Sequence, residues 1–218
     1  MKKKGFIFDL DGVIVDTAKY HFLAWKQLAN GLGIDFTETE NEQLKGVSRV
    51  RSLEKILSWG KKTIPQDEFM RLMAVKNNEY LGYINSMDES ELLPRVRETL
   101  QFLRSADQGI ALGSASKNAR HIIDKVNVTS FFDAIVDGND VTKAKPDPEV
   151  FLIAAKDLGI EPKNCIVFED SVAGIKAANV AGMISIGIGS ATILNEAQFN
   201  FKDFTEISES FLNDLINK

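Results

Sequence analysis

The chain is 218 residues long, 44% of them hydrophobic, and carries a formal net charge of −5. That length suffices for one substantial core and a smaller second one, and the acidic balance excludes the basic footprint that neutralises nucleic-acid phosphates. A single cysteine, Cys165, permits no internal disulfide, and the Met-Lys-Lys-Lys start runs into an apolar stretch too short for a signal peptide, so a cytoplasmic address is expected. No membrane partner is expected either, because the apolar segment Gly182 to Gly189 falls far below the roughly 18 residues of a span.

In chain order, Gly5-Phe-Ile-Phe opens the sequence as a short apolar run without alternation, the pattern of a strand buried on both faces. From Thr17 to about 92 only helical candidates follow, at His21–Gly31, Val50–Trp59 and Asp67–Tyr83. Helical periodicity at Val96–Ser105, Ala119–Val126, Pro148–Leu158 and Val172–Ala181 then alternates with apolar runs at Gly109-Ile-Ala-Leu, Ala134-Ile-Val, Cys165-Ile-Val-Phe and Met183-Ile-Ser-Ile. Alternating strands and helices predict an α/β, doubly wound (Rossmann-like) parallel sheet core. The helical interval predicts an inserted all-helical cap domain at 17–92, with the core made of 1–16 and 93–218, and the polar stretch Ser86–Glu91 reads as the returning linker. The region Ala191–Phe204 carries no motif.

The polar residues fall just after the strands. In an open parallel sheet ligands bind beyond the carboxyl ends of the strands, so Asp9 and Asp11, Ser114, and Glu169 with Asp170 are expected to converge on one crevice, joined by Lys145 from a loop. In Asp9-Leu10-Asp11-Gly12 an extended backbone puts both carboxylates on one side, where mutual repulsion favours one ionised group and one with a raised pKa, a nucleophile and an acid. An isolated Asp there reads better as a turn residue. Four carboxylates at neighbouring strand ends need a cation, and an all-oxygen donor set suits Mg²⁺, giving Asp9, Asp11, Glu169 and Asp170 as its candidates. The small residues Ser114, Ala115 and Ser116 allow backbone N–H groups to approach a phosphate, and Lys145 can neutralise charge on a transferring phosphoryl group. Trp25 and Trp59 read as core, His121 receives no role, and Cys165 reads as inert.

Together Asp9-Leu-Asp11-Gly12-Val-Ile-Val-Asp16-Thr17, Ser114, Lys145 and Glu169-Asp170 resemble, in order and spacing, the four motifs of the haloacid dehalogenase superfamily. The resemblance implies that Asp9 is phosphorylated, Asp11 is the general acid/base, Ser114 and Lys145 hold phosphate oxygens, and the acidic pair serves Mg²⁺. The segments Tyr20-His21-Phe22-Leu23-Ala24-Trp25, Leu44-Lys45-Gly46-Val47-Ser48-Arg49, Ser52-Leu53, Lys76-Asn77 and Ser114-Ala115-Ser116-Lys117-Asn118 further resemble the sugar-phosphate mutases of that superfamily. They imply a small-molecule sugar phosphate as partner, held by Thr17, His21, Trp25, Gly46, Val47, Ser48, Arg49, Ser52, Lys76 and Ser114–Asn118 together with Lys145, and they imply that His21 couples Asp11 to closure of the cap. The implied reaction interconverts β-D-glucose 1-phosphate and glucose 6-phosphate through β-glucose 1,6-bisphosphate. A bisphosphate needs two anion sites, and Arg49, Lys117 and Asn118 supply cationic and amide groups for the second. The alternative is a sugar-phosphate phosphatase of the same superfamily. Pro94 is followed by Arg95 where the family commonly has glycine, and a monomer is expected, since no exposed apolar stripe stands out.

Overall fold

The computed structural model describes residues 3–44 and 47–217. They separate into two compact units, Met1–Asp16 with Glu89–Lys218, and Thr17–Asp88. The strands β1 (Gly5–Phe8), β2 (Gly109–Gly113), β3 (Ala134–Val136), β4 (Cys165–Glu169), β5 (Ile184–Ile188) and β6 (Phe199–Phe201) belong to the first unit. So do helices α5 (Val96–Ser105), α6 (Ala119–Lys125), α7 (Glu149–Asp157), α8 (Val172–Val180) and α9 (Glu209–Asn217), whereas α1 (Ala18–Gly31), α2 (Glu38–Glu42), α3 (Arg49–Trp59) and α4 (Gln66–Ile84) make the second.

The strands form one parallel sheet in the order β3-β2-β1-β4-β5-β6. Every residue of β1, β2 and β4 is buried, which is why these segments lack alternation: both faces are covered. Successive side chains still divide between the faces. Ile7, Ala111 and Val167 pack with Val150, Phe151 and Ala154 of α7 and with Ala177 and Ala178 of α8. The neighbouring Phe8 and Phe168 stack on each other, ring centroids 4.7 Å apart, with Phe204 at 6.0 and 5.2 Å. Full burial of each such ring contributes about 1.5–3 kcal/mol.

Register decides where the chemistry emerges. Phe8 lies opposite both Leu112 and Phe168, so the residues that follow leave the sheet at a common edge. The order runs outward in opposite directions from β1, through β2 to β3 on one side and from β4 to β6 on the other. The junction of β1 and β4 is therefore the topological switch point, where ligands of such sheets bind.

The C-terminal strand and helix, β6 and α9, go beyond the elements read from sequence. β6 is three residues long and half-buried at the sheet edge, too short a run to show periodicity. Arg95 takes a left-handed conformation, φ 62°, a backbone region that glycine enters at no steric cost.

The second unit has its own core, in which Trp25 and Leu28 of α1, Leu53, Ile56 and Leu57 of α3 and Leu72 of α4 pack together. Ser48 caps α3 by accepting from the Arg51 N–H, and Thr37 with Glu40 forms a capping box for α2. Lys45 and Gly46, of which Gly46 is a substrate ligand expected from sequence, lie outside the described residues.

Candidate active site

Asp9 is the first residue past β1, and its N–H donates to the Phe168 carbonyl at 3.0 Å, which continues the β1–β4 pairing and fixes the carboxylate at the switch point. Glu169 ends β4 and is 1% exposed, against 6% for Asp9. Lys145 reaches both: its Nζ donates to Asp9 Oδ1 at 2.5 Å and to Glu169 Oε1 at 3.2 Å. Phe151 backs the ammonium, with the ring centroid 4.7 Å from Nζ. Burial by itself would lower the Lys145 pKa, but the charges of Asp9 and then Glu169, and the hydrogen bonds they accept, hold it above the ordinary lysine range. A charged lysine so placed is a counterion to both carboxylates.

Both oxygens of the Glu169 carboxylate are engaged. Oε1 accepts from Lys145 and from the Ser171 hydroxyl at 2.8 Å, while Oε2 accepts from the Asp170 N–H at 3.0 Å. Burial, only partly offset by Lys145 and reinforced by the charge of Asp9, pushes its pKa up to about 7. Ser171 also caps α8, its Oγ accepting from the Gly174 N–H at 3.0 Å. Gly174 has a second function that sequence reading missed: a Cβ there would lie 1.7 Å from Glu169 Oε1, so only glycine leaves the carboxylate its place. The signal was a glycine within the first turn of an otherwise helical segment directly after the acidic pair.

Carboxylate oxygens of Asp9, Glu169 and Asp170 lie within 4.8 Å of one another, a grouping of the described residues that Asp11 does not join. Asp11 sits half-buried in the turn after β1, where Gly12 adopts φ 77° and its N–H donates to the Val15 carbonyl. Asp170 fills the space beside Gly12, since a Cβ would stand 2.1 Å from its Oδ2. Three carboxylates facing one lysine leave an excess of negative charge, and an all-oxygen set of this kind fits a hard divalent cation.

Ser114 follows β2, 1% exposed, and its N–H donates to the Val136 carbonyl. Its Oγ accepts from the Ser116 N–H at 3.0 Å, and the Ser116 Oγ in turn accepts from the Asn118 N–H at 3.2 Å. The segment from Ser114 to Asn118 is thus a tight loop of amides and hydroxyls leading into α6.

Within the second unit, three of the residues that the sequence singled out, His21, Trp25 and Lys76, come together. Lys76 is 2% exposed; its Nζ lies 2.8 Å from His21 Nδ1 and 4.8 and 4.5 Å from the Trp25 and Tyr80 ring centroids. An ammonium has only donors, so this contact makes Nδ1 the acceptor and puts the imidazole proton on Nε2. Burial, then the charges of Lys76 and Arg49, holds His21 well below the ordinary histidine range, which agrees with a neutral ring. Arg49 begins α3 half-buried, next to Val47 and the cap Ser48, while Ser52 is buried on the same helix. Thr17, fully buried, precedes α1. Cys165 is buried in β4, its thiol pushed up to about 11 by burial, as befits an inert core residue.

A buried aspartate and a lysine meeting at the switch point of a Rossmann-like sheet, with further carboxylates beside them, define a class, and the chain belongs to the haloacid dehalogenase-like hydrolase family, whose model matches residues 3–182. Among individual relatives it is 39% identical to a β-phosphoglucomutase of Bacillus subtilis, over 97% of this chain and 94% of that one. The crystal structure of a β-phosphoglucomutase from Clostridium difficile superposes with a TM-score of 0.94 at 39% identity, covering 99% of this chain and 98% of that one. A phosphorylated carbohydrates phosphatase of Thermotoga maritima is 30% identical over 81% of each chain. No helix among the described residues is long and apolar enough to cross a membrane.

Proposed function

We propose that the protein is a β-phosphoglucomutase, interconverting β-D-glucose 1-phosphate and glucose 6-phosphate through a phosphorylated Asp9 and β-glucose 1,6-bisphosphate. The observation that carries this reading over a phosphatase is sequence identity over the full length: a mutase relative and a mutase structure each match almost the whole chain at 39% identity, whereas phosphatase relatives match at 28–30%. In this reading Asp9 enters the cycle as the aspartyl phosphate. A hydroxyl of the bound sugar phosphate attacks phosphorus, the P–O bond to Asp9 breaks, and Asp11 takes the hydroxyl proton. After the bisphosphate turns end for end, an Asp9 oxygen attacks its other phosphorus. Asp11 returns the proton to the departing sugar oxygen, which regenerates the phosphorylated enzyme.

Lys145 stays charged throughout, and Glu169, anchored by Ser171 and the Asp170 N–H, keeps it beside Asp9. Asp9, Asp170 and Glu169 are the groups that would hold Mg²⁺, the cation that best suits their donor set; when bound it supplies charge stabilisation to the phosphoryl oxygens. Asp11, assigned with them to the cation from sequence, is retained in that set and as the acid/base. The substrate ligands are those assigned from sequence, with Arg49, Lys117 and Asn118 given to the non-reacting phosphate. A cytoplasmic monomer needing only this small-molecule partner completes the reading.

The test is a paired assay with Mg²⁺, β-glucose 1-phosphate and a trace of glucose 1,6-bisphosphate, following glucose 6-phosphate and free phosphate together. Glucose 6-phosphate with little free phosphate is the expected outcome; free phosphate as main product would replace the mutase by a sugar phosphatase with the same Asp9 chemistry.

A further inference from the structure

The loop Ser114–Asn118 is held from behind by a turn that no motif includes. At the end of β3, Gly138 N–H donates to the Ser116 carbonyl at 3.1 Å, and Asn139 Nδ2 donates to the Lys117 carbonyl at 3.1 Å. Gly138 also lies against Ala115, since a Cβ would stand 2.3 Å from the Ala115 carbonyl oxygen and 3.0 Å from Lys117 Cγ. Three successive carbonyls therefore face the turn. In a trans peptide the C=O of one residue and the N–H of the next point in opposite directions, so the N–H groups of Ser116, Lys117 and Asn118 are turned to the other side of the loop, where those of Ser116 and Asn118 donate to the Ser114 and Ser116 hydroxyls and so orient them.

The turn is itself braced. The buried Asp137 accepts from the Asn139 N–H at 2.7 Å, and Asp140 accepts from the Asp137 N–H at 2.9 Å. Arg120, in the first turn of α6, joins both: its Nε lies 3.1 Å from Asp137 Oδ2, and its Nη2 donates to Asp140 Oδ2 at 2.9 Å and to the Ile135 carbonyl at 2.6 Å. Because α6 continues directly from the loop, the contacts close a ring from loop to helix to Arg120 to turn and back to loop. A ring closed in this way fixes the peptide orientations of the loop before any anion arrives, which is where preorganised donors gain their strength.

We propose that the Asp137–Asp140 turn, acting through Gly138 and Asn139, is the positioning element that holds Ser116–Asn118 ready for the non-transferring phosphate, with Arg120 as its brace. This rests on the mutase reading above, and it separates two demands on the protein. The reacting phosphoryl group depends on Asp9 and Lys145, whereas the turn acts only on the grip that a sugar phosphate needs and a small phosphoryl donor does not. Asn139 is exposed, so its substitution leaves the fold in place.

The experiment compares the wild-type protein with Asn139→Ala and Asn139→Asp, the second keeping the size of the side chain while replacing the amide donor by an acceptor. KM and kcat are measured for β-glucose 1-phosphate, and turnover is measured with acetyl phosphate, which has one phosphate and no sugar. Losing one net hydrogen bond raises KM about 3- to 10-fold, with at least that rise for Asn139→Asp, while kcat and acetyl phosphate turnover move less than about twofold. An unaltered KM in both variants overturns the proposal, and so does a parallel fall of acetyl phosphate turnover, which would mark the turn as general support. If the wild-type enzyme releases free phosphate instead of glucose 6-phosphate, the mutase reading fails on its own, and the same KM comparison for the hydrolysed sugar phosphate still decides whether the turn positions the loop.

Discussion

Replacing Lys145 by methionine keeps a stem under Phe151 and removes only the ammonium, leaving Asp9 and Glu169 as buried carboxylates without their shared partner. Breaking a buried ion pair by deleting one member costs about 3–5 kcal/mol, and here two charge-assisted hydrogen bonds go at once. Proton uptake limits that cost in a direction that can be worked out. The folded-state pKa of Glu169, about 7, lies above its ordinary 4.5. The native protein therefore keeps a proton that the unfolded chain has released, and stability falls as pH rises from about 4.5 to 7, then levels. Without Lys145, whose charge lowers the Glu169 pKa, the decline continues to higher pH. The penalty of Lys145→Met should consequently grow between pH 6 and pH 8, by about 1.4 kcal/mol for each unit that the Glu169 pKa rises. Urea unfolding of the sheet unit in EDTA, at both pH values and for both proteins, measures it. A penalty below about 1 kcal/mol, or one that shrinks with pH, would refute the charge-compensation argument.

Asp9→Asn should lower phosphoryl transfer by a factor on the order of 10⁴ or more while circular dichroism stays native, because the nucleophile is lost but Lys145 keeps Glu169; substantial residual turnover of β-glucose 1-phosphate would remove Asp9 from its role. For Gly174→Ala the added methyl displaces Glu169 from Lys145. A loss of about 1–3 kcal/mol is expected in spite of alanine's better helix propensity, and a stabilised protein in thermal melts would contradict this packing. His21 is held below its unfolded pKa, so the unfolded chain binds a proton that the native state refuses, and stability rises with pH through the interval below about 6.5. His21→Gln should flatten the wild-type dependence between pH 5 and 6.5 by up to about 1.4 kcal/mol per pH unit; identical slopes in urea titrations would show that His21 is not the group excluded.

The sequence by itself determined the class of the fold and the ends of the strands where chemistry emerges. Apolar runs without alternation, Gly5–Phe8 and Cys165–Phe168 among them, report burial on both faces wherever they lie in the sheet, and Asp9 and Glu169 follow those runs by one residue in the chain itself. Helices such as Val96–Ser105 were readable for the same reason, since periodicity is a local property. β6 and the turn Asp137–Asp140 were not, because the first is a three-residue edge strand that exists through pairing with β5, and the second gains meaning only from the carbonyls of Ser116 and Lys117. The tertiary structure alone decided which groups meet: Lys145 bonded to residues 136 and 24 positions away, Asp170 within reach of Asp9 and Glu169, and Gly174 beneath Glu169. Spacing along a chain fixes which face or edge a side chain occupies, but distances of a few ångströms between separate strands depend on register and packing, and those are settled only when the whole sheet closes around its core.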